Sequence, residues 1–496
     1  MNSIEELDSI LKKVYKLNEN NEIEQAEKLV IQTEQILTKT LLEILSIKSV
    51  INIQKQETER AKNILEFALK IDENNFDCLY NLAYIYESDN EFEKSIQCYN
   101  RAKMNCLDSY LINNIDNIIY NLQYKCNCKE KKGLLILDDT FPNLLSSFRL
   151  HEYNYYLKSI ENTIIGCWNL KFENLYKEYK EKYPYLSNHI FSIEKLKNIE
   201  SISLLYTMFL NNIYYCLPII NNMKIPFVFT LYPGGGFWID SKESDEKLKQ
   251  VCMSPFLRKV IVTQKNTYDY LINKNFLEKE KIEFIYGGIL PTEEYKNNYI
   301  EKKYYKKDKY TFDICFVANK YMKNGRDKGY DIFIDVCKAL NKIDEDIRFH
   351  VVGGFSENDI DIYEINDNIK FYGMQHTEFF YKFYSSMDII LSPNEPFVLY
   401  PGSFDGFPTG CCVEAGLAGV SIFCTDKLNL NICFEDKKDI CIINRDVKDI
   451  VEKIIYYKDN VEELYTISQK GRDKLFEVFD LKKQMEERMN ILKKLI

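Results

Sequence analysis

Residues 392–426 read SPNEPFVLYPGSFDGFPTGCCVEAGLAGVSIFCTD and decide the fold. They predict a short apolar strand that ends at Ser392, a loop rich in Gly and Pro, a helix that begins near Cys411, and a second strand at Val420–Cys424. Gly419 can end the helix in the left-handed conformation. Strand, helix and strand in this order form a βαβ unit, the building block of parallel α/β sheets.

The loop before this helix has the composition of an anion site. Four of its residues bend the main chain or allow close approach to it: Gly402, Gly406, Pro408 and Gly410. The first N–H groups of a helix have no partner within the helix and carry partial positive charge. Asp405 lies in the loop and Glu414 on the first turns of the helix, where acids would repel a phosphate unless they face hydroxyl groups. A nucleotide sugar supplies both groups, and the alternative is an ordinary βαβ turn with surface acids.

The segment DGFPTGCCVEAGLAGV resembles the signature of the retaining GT-B glycosyltransferases of family 4, which is approximately E-G-F-G-L-P-x-x-E-A-x-A-x-G. Asp405 takes the place of the first Glu, and Glu414 stands nine positions later, one more than in the family pattern. The resemblance implies that Glu414 holds the ribose hydroxyls of the donor and that Asp405 contacts the donor sugar. It also implies that the turn between them binds the diphosphate, through Gly406, Phe407, Pro408, Thr409 and Gly410.

A second element of the resemblance is the Lys-Gly pair at Lys328-Gly329, which follows a predicted strand at Phe312–Val317. In the family, an Arg and this Lys clamp the diphosphate and help it leave. The Arg position falls near Lys320, so Lys320 is the predicted substitute and Arg326 the reserve. A cation is needed because the departing nucleoside diphosphate gains negative charge as the glycosidic bond breaks. The alternative for Lys328 is an exposed loop lysine.

In the first lobe, three consecutive glycines follow a predicted strand at Phe227–Leu231: Gly234, Gly235 and Gly236. Glycines at the carboxyl end of a parallel strand let a ligand approach the main chain, and a flexible loop is the alternative. Many members of the family carry a histidine near this place, beside the donor sugar. Here Tyr232 or the glycines stand there instead.

Arg149 is a further candidate for the cleft. It lies near the start of a predicted helix that follows a buried strand at Gly133–Leu137. From there it could meet the donor phosphate or an acceptor anion, or it could form a surface ion pair with Glu152. His151 is predicted to be a packing or surface residue.

The first 128 residues predict helices, and a repeat is visible in them. Ala61, Leu65 and Ala68 recur 34 positions later as Ser95, Tyr99 and Ala102. This resembles the tetratricopeptide repeat, in which small residues let two helices cross closely. A concave surface for a partner or acceptor protein and a structural cap or dimerisation arm are both open.

The predicted fold is therefore α/β of the GT-B type, two Rossmann-like lobes preceded by an all-α tetratricopeptide-like domain. The expected domains are helical repeats at 1–128, an acceptor lobe at 129–297, a nucleotide-sugar donor lobe at 298–480, and a helix at 481–496 that crosses back to the first lobe. The lysine-rich run Glu301–Tyr310 is predicted to be the exposed link between the lobes.

Composition excludes several classes of protein. The net charge of −10 argues against a nucleic-acid binder. The polar, acidic start is unlike a signal peptide, and the apolar window at 201–220 is interrupted by Asn211-Asn212, which argues against a membrane span. The fifteen cysteines lack metal-ligand spacing, which favours reduced thiols in the cytoplasm and no metal site.

The predicted reaction is transfer of a sugar from a nucleotide diphosphate sugar to a hydroxyl, with retention of anomeric configuration and no cofactor beyond the donor. The helical repeats favour a protein acceptor, such as flagellin or another bacterial surface protein, and the alternative is assembly of a surface polysaccharide. A scaffold with decayed transferase lobes is a third hypothesis. A sugar-nucleotide epimerase of the same fold would need first-lobe acids placed for proton abstraction, and no convincing set is present.

Overall fold

The computed structural model describes residues 2–128, 133–196 and 202–496. The chain divides into two compact units, Met1–Glu130 and Lys131–Ile496. No helix among the described residues has the length and hydrophobicity that crossing a bilayer would need.

The first unit is entirely helical in its described part. Its helices are α1 (Asn2–Glu19), α2 (Ile23–Gln54), α3 (Thr58–Ile71), α4 (Phe76–Ser88), α5 (Phe92–Met104) and α6 (Ser109–Cys128). The 34-residue spacing seen in the sequence puts equivalent residues on α3 and α5, and all six of them are buried. The Ser95 hydroxyl donates to the Ala83 carbonyl oxygen at 2.8 Å, so a small polar side chain is accommodated where α4 and α5 pack together.

The second unit begins with a seven-stranded parallel sheet in the order β3-β2-β1-β4-β5-β6-β7. Its strands are β1 (Leu134–Asp138), β2 (Ile164–Cys167), β3 (Ile190–Ser192), β4 (Leu204–Met208), β5 (Phe227–Leu231), β6 (Leu257–Val262) and β7 (Ile282–Phe284). Its helices are α7 (Ser147–Ser159), α8 (Phe172–Lys182), α9 (Pro184–Ser187), α10 (Leu210–Met223), α11 (Lys242–Cys252), α12 (Lys265–Asn273) and α13 (Thr292–Asn297). Every residue of β1, β4 and β5 is buried, which explains their continuous apolar sequences.

A six-stranded parallel sheet forms the second lobe, in the order β10-β9-β8-β11-β12-β13. Its strands are β8 (Phe312–Ala318), β9 (Ile347–Gly353), β10 (Ile369–Phe371), β11 (Ile389–Ser392), β12 (Ser421–Thr425) and β13 (Cys441–Ile443). Its helices are α14 (Tyr330–Asn341), α15 (Thr377–Tyr384), α16 (Gly410–Leu417), α17 (Val447–Asp459) and α18 (Val461–Val478), and α19 (Leu481–Lys493) follows them in the chain. The predicted architecture of two Rossmann-like lobes after an all-α region is confirmed.

The last helix, α19, packs in the first lobe although it follows the second lobe in sequence. Met485, Met489 and Leu492 are buried among the first-lobe core residues. Arg488 is fully buried on the same helix, and its Nε lies 3.9 Å from the Glu152 carboxylate on α7. The chain therefore ties its two lobes together at its C-terminal end.

The lysine-rich link is less exposed than the sequence predicts. Lys302 is buried and donates to the Tyr384 carbonyl oxygen at 3.2 Å, and burial lowers its pKa to about 8. Lys309 lies between the Asp313 and Asp388 carboxylates, 2.6 Å from each. Most of the run is exposed, as predicted, but the acids and carbonyl oxygens at the amino ends of β8 and β11 draw these two lysines inward.

Candidate active site

Two adjoining cavities lie in the cleft between the lobes, at the carboxyl ends of both sheets. The larger has a volume of about 680 Å³ and the smaller about 390 Å³. Both volumes are typical of small-molecule sites, and this edge of parallel sheets is where such ligands bind. Lys328 and Asp405 line both cavities.

The glycine-rich turn that precedes α16 forms one wall of the larger cavity. The helix begins at Gly410, one residue before the predicted start, and a Cβ atom at Gly410 would find no neighbour within 4 Å. Two first-lobe side chains hold the turn in place: the Tyr286 hydroxyl donates to the Phe407 carbonyl oxygen at 2.9 Å, and the Gln264 side-chain oxygen accepts from the Phe407 N–H at 3.4 Å. The exposed helix start can therefore receive an anion from the cleft.

Glu414 faces the same cavity from the second turn of α16. Burial raises the pKa of its carboxyl to about 7, and the nearby Glu294 carboxylate acts in the same direction, while the hydroxyls of Ser147 and Tyr295 oppose the shift. Ser147, Glu294 and Tyr295 all belong to the first lobe. Glu414 belongs to the second lobe and is enclosed by side chains of the first lobe. Hydroxyl groups of a ligand that donate hydrogen bonds to its carboxylate would stabilise the ionised form.

Lys328 and Asp405 form an ion pair at the junction of the two cavities. The Lys328 Nζ lies 2.6 and 2.7 Å from the two Asp405 carboxylate oxygens, and the Asn394 amide donates to one of them at 2.7 Å. Burial alone would lower the pKa of Lys328, but the Asp405 carboxylate outweighs it and raises the pKa. Gly329 must be glycine, because its φ is +78° and a Cβ atom would lie 2.1 Å from the Pro393 carbonyl oxygen.

The other two predicted cations lie apart from this pair. Lys320 is paired with Asp359, and the Arg326 side chain is 64% exposed, with its Nε 3.8 Å from Asp331. Neither residue lines either cavity. Among the predicted cations of the second lobe, the structure therefore brings only Lys328 to the turn that precedes α16.

The three glycines after β5 line the smaller cavity. All three have positive φ, and a Cβ atom on Gly235 or Gly236 would lie 2.4 Å from Phe209 or 2.1 Å from Asn211. Glycine is required here by the packing of this turn against the start of α10. The Tyr232 ring lines the larger cavity, but its hydroxyl donates to Glu152 at 3.3 Å, away from the cleft.

Arg149 lies in the wall of the larger cavity with its charge already paired. Its guanidinium contacts Asp138 at 3.1 Å and Asp139 at 3.2 Å, and it packs against the rings of Phe148 and Phe209. The alternative ion pair with Glu152 is wrong, because Glu152 turns into the core, where it accepts hydrogen bonds from the hydroxyls of Tyr156, Tyr206 and Tyr232.

Gln264, Asp327 and Asn394 are among the polar residues that the structure brings to the cleft and that sequence reasoning missed. Gln264 and Asn394 each come directly after a strand and one further residue, so their position at the carboxyl edge of a sheet was a usable signal. Asp327 is 5% exposed, and neither of its carboxylate oxygens has a hydrogen-bond partner. Across the described residues, no group of three or more His, Cys, Asp or Glu side chains is arranged to hold a metal ion.

Comparison with known proteins bears on the second lobe and on the fold of both lobes. Residues 305–474, most of the second lobe, match the family model described as glycosyl transferases group 1. The fold and this match define a glycosyltransferase. More particularly, the second lobe is similar to the group 1 glycosyl transferases. A search of curated protein sequences finds no significant match.

Solved structures with the same fold cover the two-lobed unit. HepE from Anabaena, crystallised with UDP-glucose, is 15% identical with a TM-score of 0.55 over 73% of this chain and 100% of its own. A glycosyltransferase from Rickettsia africae is 14% identical with a TM-score of 0.54 over 74% and 98%. Sucrose-phosphate synthase from Thermosynechococcus elongatus is 12% identical with a TM-score of 0.50 over 74% and 99%. These likenesses confirm the predicted GT-B fold.

Proposed function

We propose that this protein transfers a sugar from a nucleotide diphosphate sugar to a hydroxyl acceptor, with retention of anomeric configuration, as a family 4 enzyme would. One observation carries the proposal. The larger cavity brings together an open helix start at Gly410, a buried ammonium group at Lys328 and an acid at Glu414 whose pKa is raised to about 7. A diphosphate fits the first two groups, and a ribose diol fits the third. The UDP-glucose bound to HepE supports a donor of this class.

In the proposed reaction, the bond between the anomeric carbon and the diphosphate oxygen breaks, and the acceptor hydroxyl oxygen bonds to the same carbon on the same face. The acceptor proton passes to the leaving diphosphate oxygen, so no side-chain base is required. Lys328 and the N–H groups at the start of α16 neutralise the charge that develops on the leaving group. Lys328 exchanges its ion pair with Asp405 for the diphosphate, which frees Asp405 to orient hydroxyls of the donor sugar.

The first unit supports a protein partner. Several apolar residues on the long helix α2 are exposed, including Val30, Leu37, Leu41 and Ile44. A protein acceptor held by tetratricopeptide-like repeats, such as flagellin or another surface protein modified in a bacterial cytoplasm, would use such a surface. All thirteen described cysteines are free thiols, which fits a reducing compartment. Assembly of a surface polysaccharide is the alternative, and it would leave this helical surface without a substrate role.

Calorimetry with UDP, GDP and ADP on the full chain tests the donor assignment. We expect one nucleotide to bind. In a sugar-transfer assay, we expect Glu414→Ala and Lys328→Ala to abolish transfer while the variants stay folded. Lys342→Ala, which removes an exposed lysine from the same lobe, is the matched control. Full activity in either site variant, or binding of no nucleotide, would overturn the proposal.

NMR of the first-formed product of donor hydrolysis or transfer tests the stereochemistry. A product anomer that matches the donor supports retention. An inverted product contradicts it.

A further inference from the structure

The smaller cavity has a wall of its own beyond the shared Lys328–Asp405 pair. It is enclosed by the glycine turn after β5, the long loop between β11 and α16, and the loop after β12. The larger cavity holds Gly410, Lys328 and Glu414, the groups that the proposed function gives to the diphosphate and the ribose. The smaller cavity is therefore left free by these two parts of the donor.

Contacts between the lobes close this compartment on one side. The Ile239 N–H donates to the Gly402 carbonyl oxygen at 2.9 Å, and the rings of Phe237 and Phe404 meet edge to face at 5.9 Å. Gly402 has a φ of +84°, and a Cβ atom there would lie 2.0 Å from the Ile239 carbonyl oxygen. The loop from the second lobe is thus fitted closely to the first lobe, and together they form a continuous wall.

Two aromatic rings, Trp238 and Tyr400, are part of that wall. They stack on one another with their centroids 4.8 Å apart and an angle of 26° between their planes. Tyr400 is 50% exposed, so a large part of its ring is open to a ligand. An aromatic face attracts the C–H edges of an apolar or partly apolar ring through its quadrupole.

The polar lining favours a neutral, hydroxyl-rich ligand. Four carboxylates and only two lysines line the smaller cavity: Asp327, Glu395, Asp405 and Asp426, with Lys328 and Lys427. Lys328 pairs with Asp405, and Glu395 pairs with Lys427 and Arg445, so Asp327 and Asp426 are the two lining carboxylates without an ion pair among the described residues. These two acids disfavour a phosphate or another anion. Ser392, Asn394 and Ser403 add groups that can both donate and accept hydrogen bonds. A pyranose ring has the matching character, with apolar C–H faces and a rim of hydroxyls.

We propose that the smaller cavity binds the terminal sugar ring of the acceptor, with the open face of Tyr400 against the ring, Trp238 stacked behind Tyr400, and the carboxylates and amide at the rim of the sugar. The inference rests on the proposed function, which puts the donor in the larger cavity. The two cavities meet at Lys328 and Asp405, where the bond between donor sugar and diphosphate must lie. An acceptor hydroxyl entering from the smaller cavity reaches the anomeric carbon there, at the roughly 3 Å approach that transfer requires.

The volume and lining of the smaller cavity indicate which chemical group accepts the sugar. A serine or threonine side chain would use one hydroxyl and leave most of the 390 Å³ empty, whereas a sugar ring uses both the aromatic wall and the polar rim. The acceptor is therefore a glycan end, whether that glycan is attached to a protein or belongs to a polysaccharide. The enzyme extends an existing sugar, so a separate sugar-transfer reaction must supply the first unit.

Tryptophan fluorescence offers a direct test, because the chain has only two tryptophans. Trp168 lies after β2 and lines neither cavity, so Trp168→Phe leaves Trp238 as the single reporter. The full chain carrying this change would be titrated with methyl glycosides of glucose, galactose, mannose and N-acetylglucosamine, first without nucleotide and then with the nucleotide found by calorimetry. We expect a saturable change in Trp238 emission with at least one glycoside.

Tyr400→Ala should weaken that binding about threefold to tenfold, which is the usual contribution of one aromatic contact. Tyr363→Ala, which removes a tyrosine that is 89% exposed in the same lobe, should leave it unchanged. No saturable response to any glycoside, equal affinity in the Tyr400 variant, or a response to serine- and threonine-containing peptides instead would overturn the inference. Failure of nucleotide binding alone would instead contradict the proposed function, since the glycoside titration without nucleotide does not depend on it.

Discussion

Glu414 should make the affinity for a nucleotide sugar depend on pH around neutrality. Its carboxyl has a pKa of about 7 in the ligand-free protein, mainly because of burial. Ribose hydroxyls donate to the ionised form, so binding must first remove the proton. With a pKa of about 7, roughly a tenth of the molecules are ionised at pH 6 and roughly nine tenths at pH 8. The affinity should therefore rise about tenfold across this range and level off above it.

The neighbouring groups allow this window to be assigned to Glu414. Burial lowers the pKa of His151 below its usual value, which moves its titration toward the acid side of the window. The ligand should be UDP-glucose or GDP-mannose, because a free nucleoside diphosphate has a terminal phosphate that itself titrates near pH 6. Isothermal calorimetry in buffers of matched ionic strength would give the dissociation constant at each pH.

Glu414→Gln separates the charge from the shape of the side chain. Loss of a hydrogen bond to a charged group costs about 1.5–3 kcal/mol, so the variant should bind about tenfold to a hundredfold more weakly at pH 8 and lose the pH dependence. Glu462→Gln, at an exposed position on α18, should behave as the unmodified protein. A flat profile in the unmodified protein, or an unchanged slope in the Glu414 variant, would refute the reasoning.

Three further predictions concern charge and backbone. Lys328→Ala should slow transfer by about a hundredfold or more, whereas Lys320→Ala, whose cation is already paired with Asp359, should cost far less; equal losses in steady-state assays would contradict this. Asp327→Asn should raise the free energy of unfolding in urea by about 1 kcal/mol at neutral pH, since a buried carboxylate without partners is costly. Burial raises the pKa of Asp327, so the unmodified protein loses stability as the pH rises through that pKa, and the gain should vanish in acid; a gain that persists there would point to another cause. Gly402→Ala should lower the unfolding free energy by about 2 kcal/mol or more, because the new Cβ atom would clash with Ile239. Gly410→Ala, where the new Cβ atom meets no neighbour, should not lower it. An unchanged unfolding free energy in the Gly402 variant would mean that the loop relaxes freely.

The second lobe could be predicted closely from the sequence because its signals are local. The strands β8, β11 and β12 are short apolar runs, and each predicted bound differs from the observed one by one residue at most. The first lobe was harder to predict in its first half. The strands β2 and β3 are short. The apolar sequence of β4 continues directly into helix α10, so no turn residue marks the end of the strand.

The candidate site shows where a local pattern stops being informative. Lys320, Arg326 and Lys328 lie in one loop and carry the same charge, so sequence spacing could rank them by position but could not show which partners hold them. Their roles diverge through partners that are distant in sequence: Asp359 holds Lys320, and Asp405, 77 positions away, draws Lys328 into the cleft.

Arg149 and Lys328 are both cations beside the larger cavity, but they differ in how many acids each is paired with. Arg149 faces two acids, Asp138 and Asp139, whereas Lys328 shares Asp405 with the neutral amide of Asn394. An incoming diphosphate would have to displace two carboxylates from Arg149 but only one from Lys328. Asp405 would then turn to a sugar hydroxyl without losing its contact with Asn394. The cation that can change partners at the lower electrostatic cost is the one suited to follow the charge of a leaving group, and this difference rests on which acids the fold brings close.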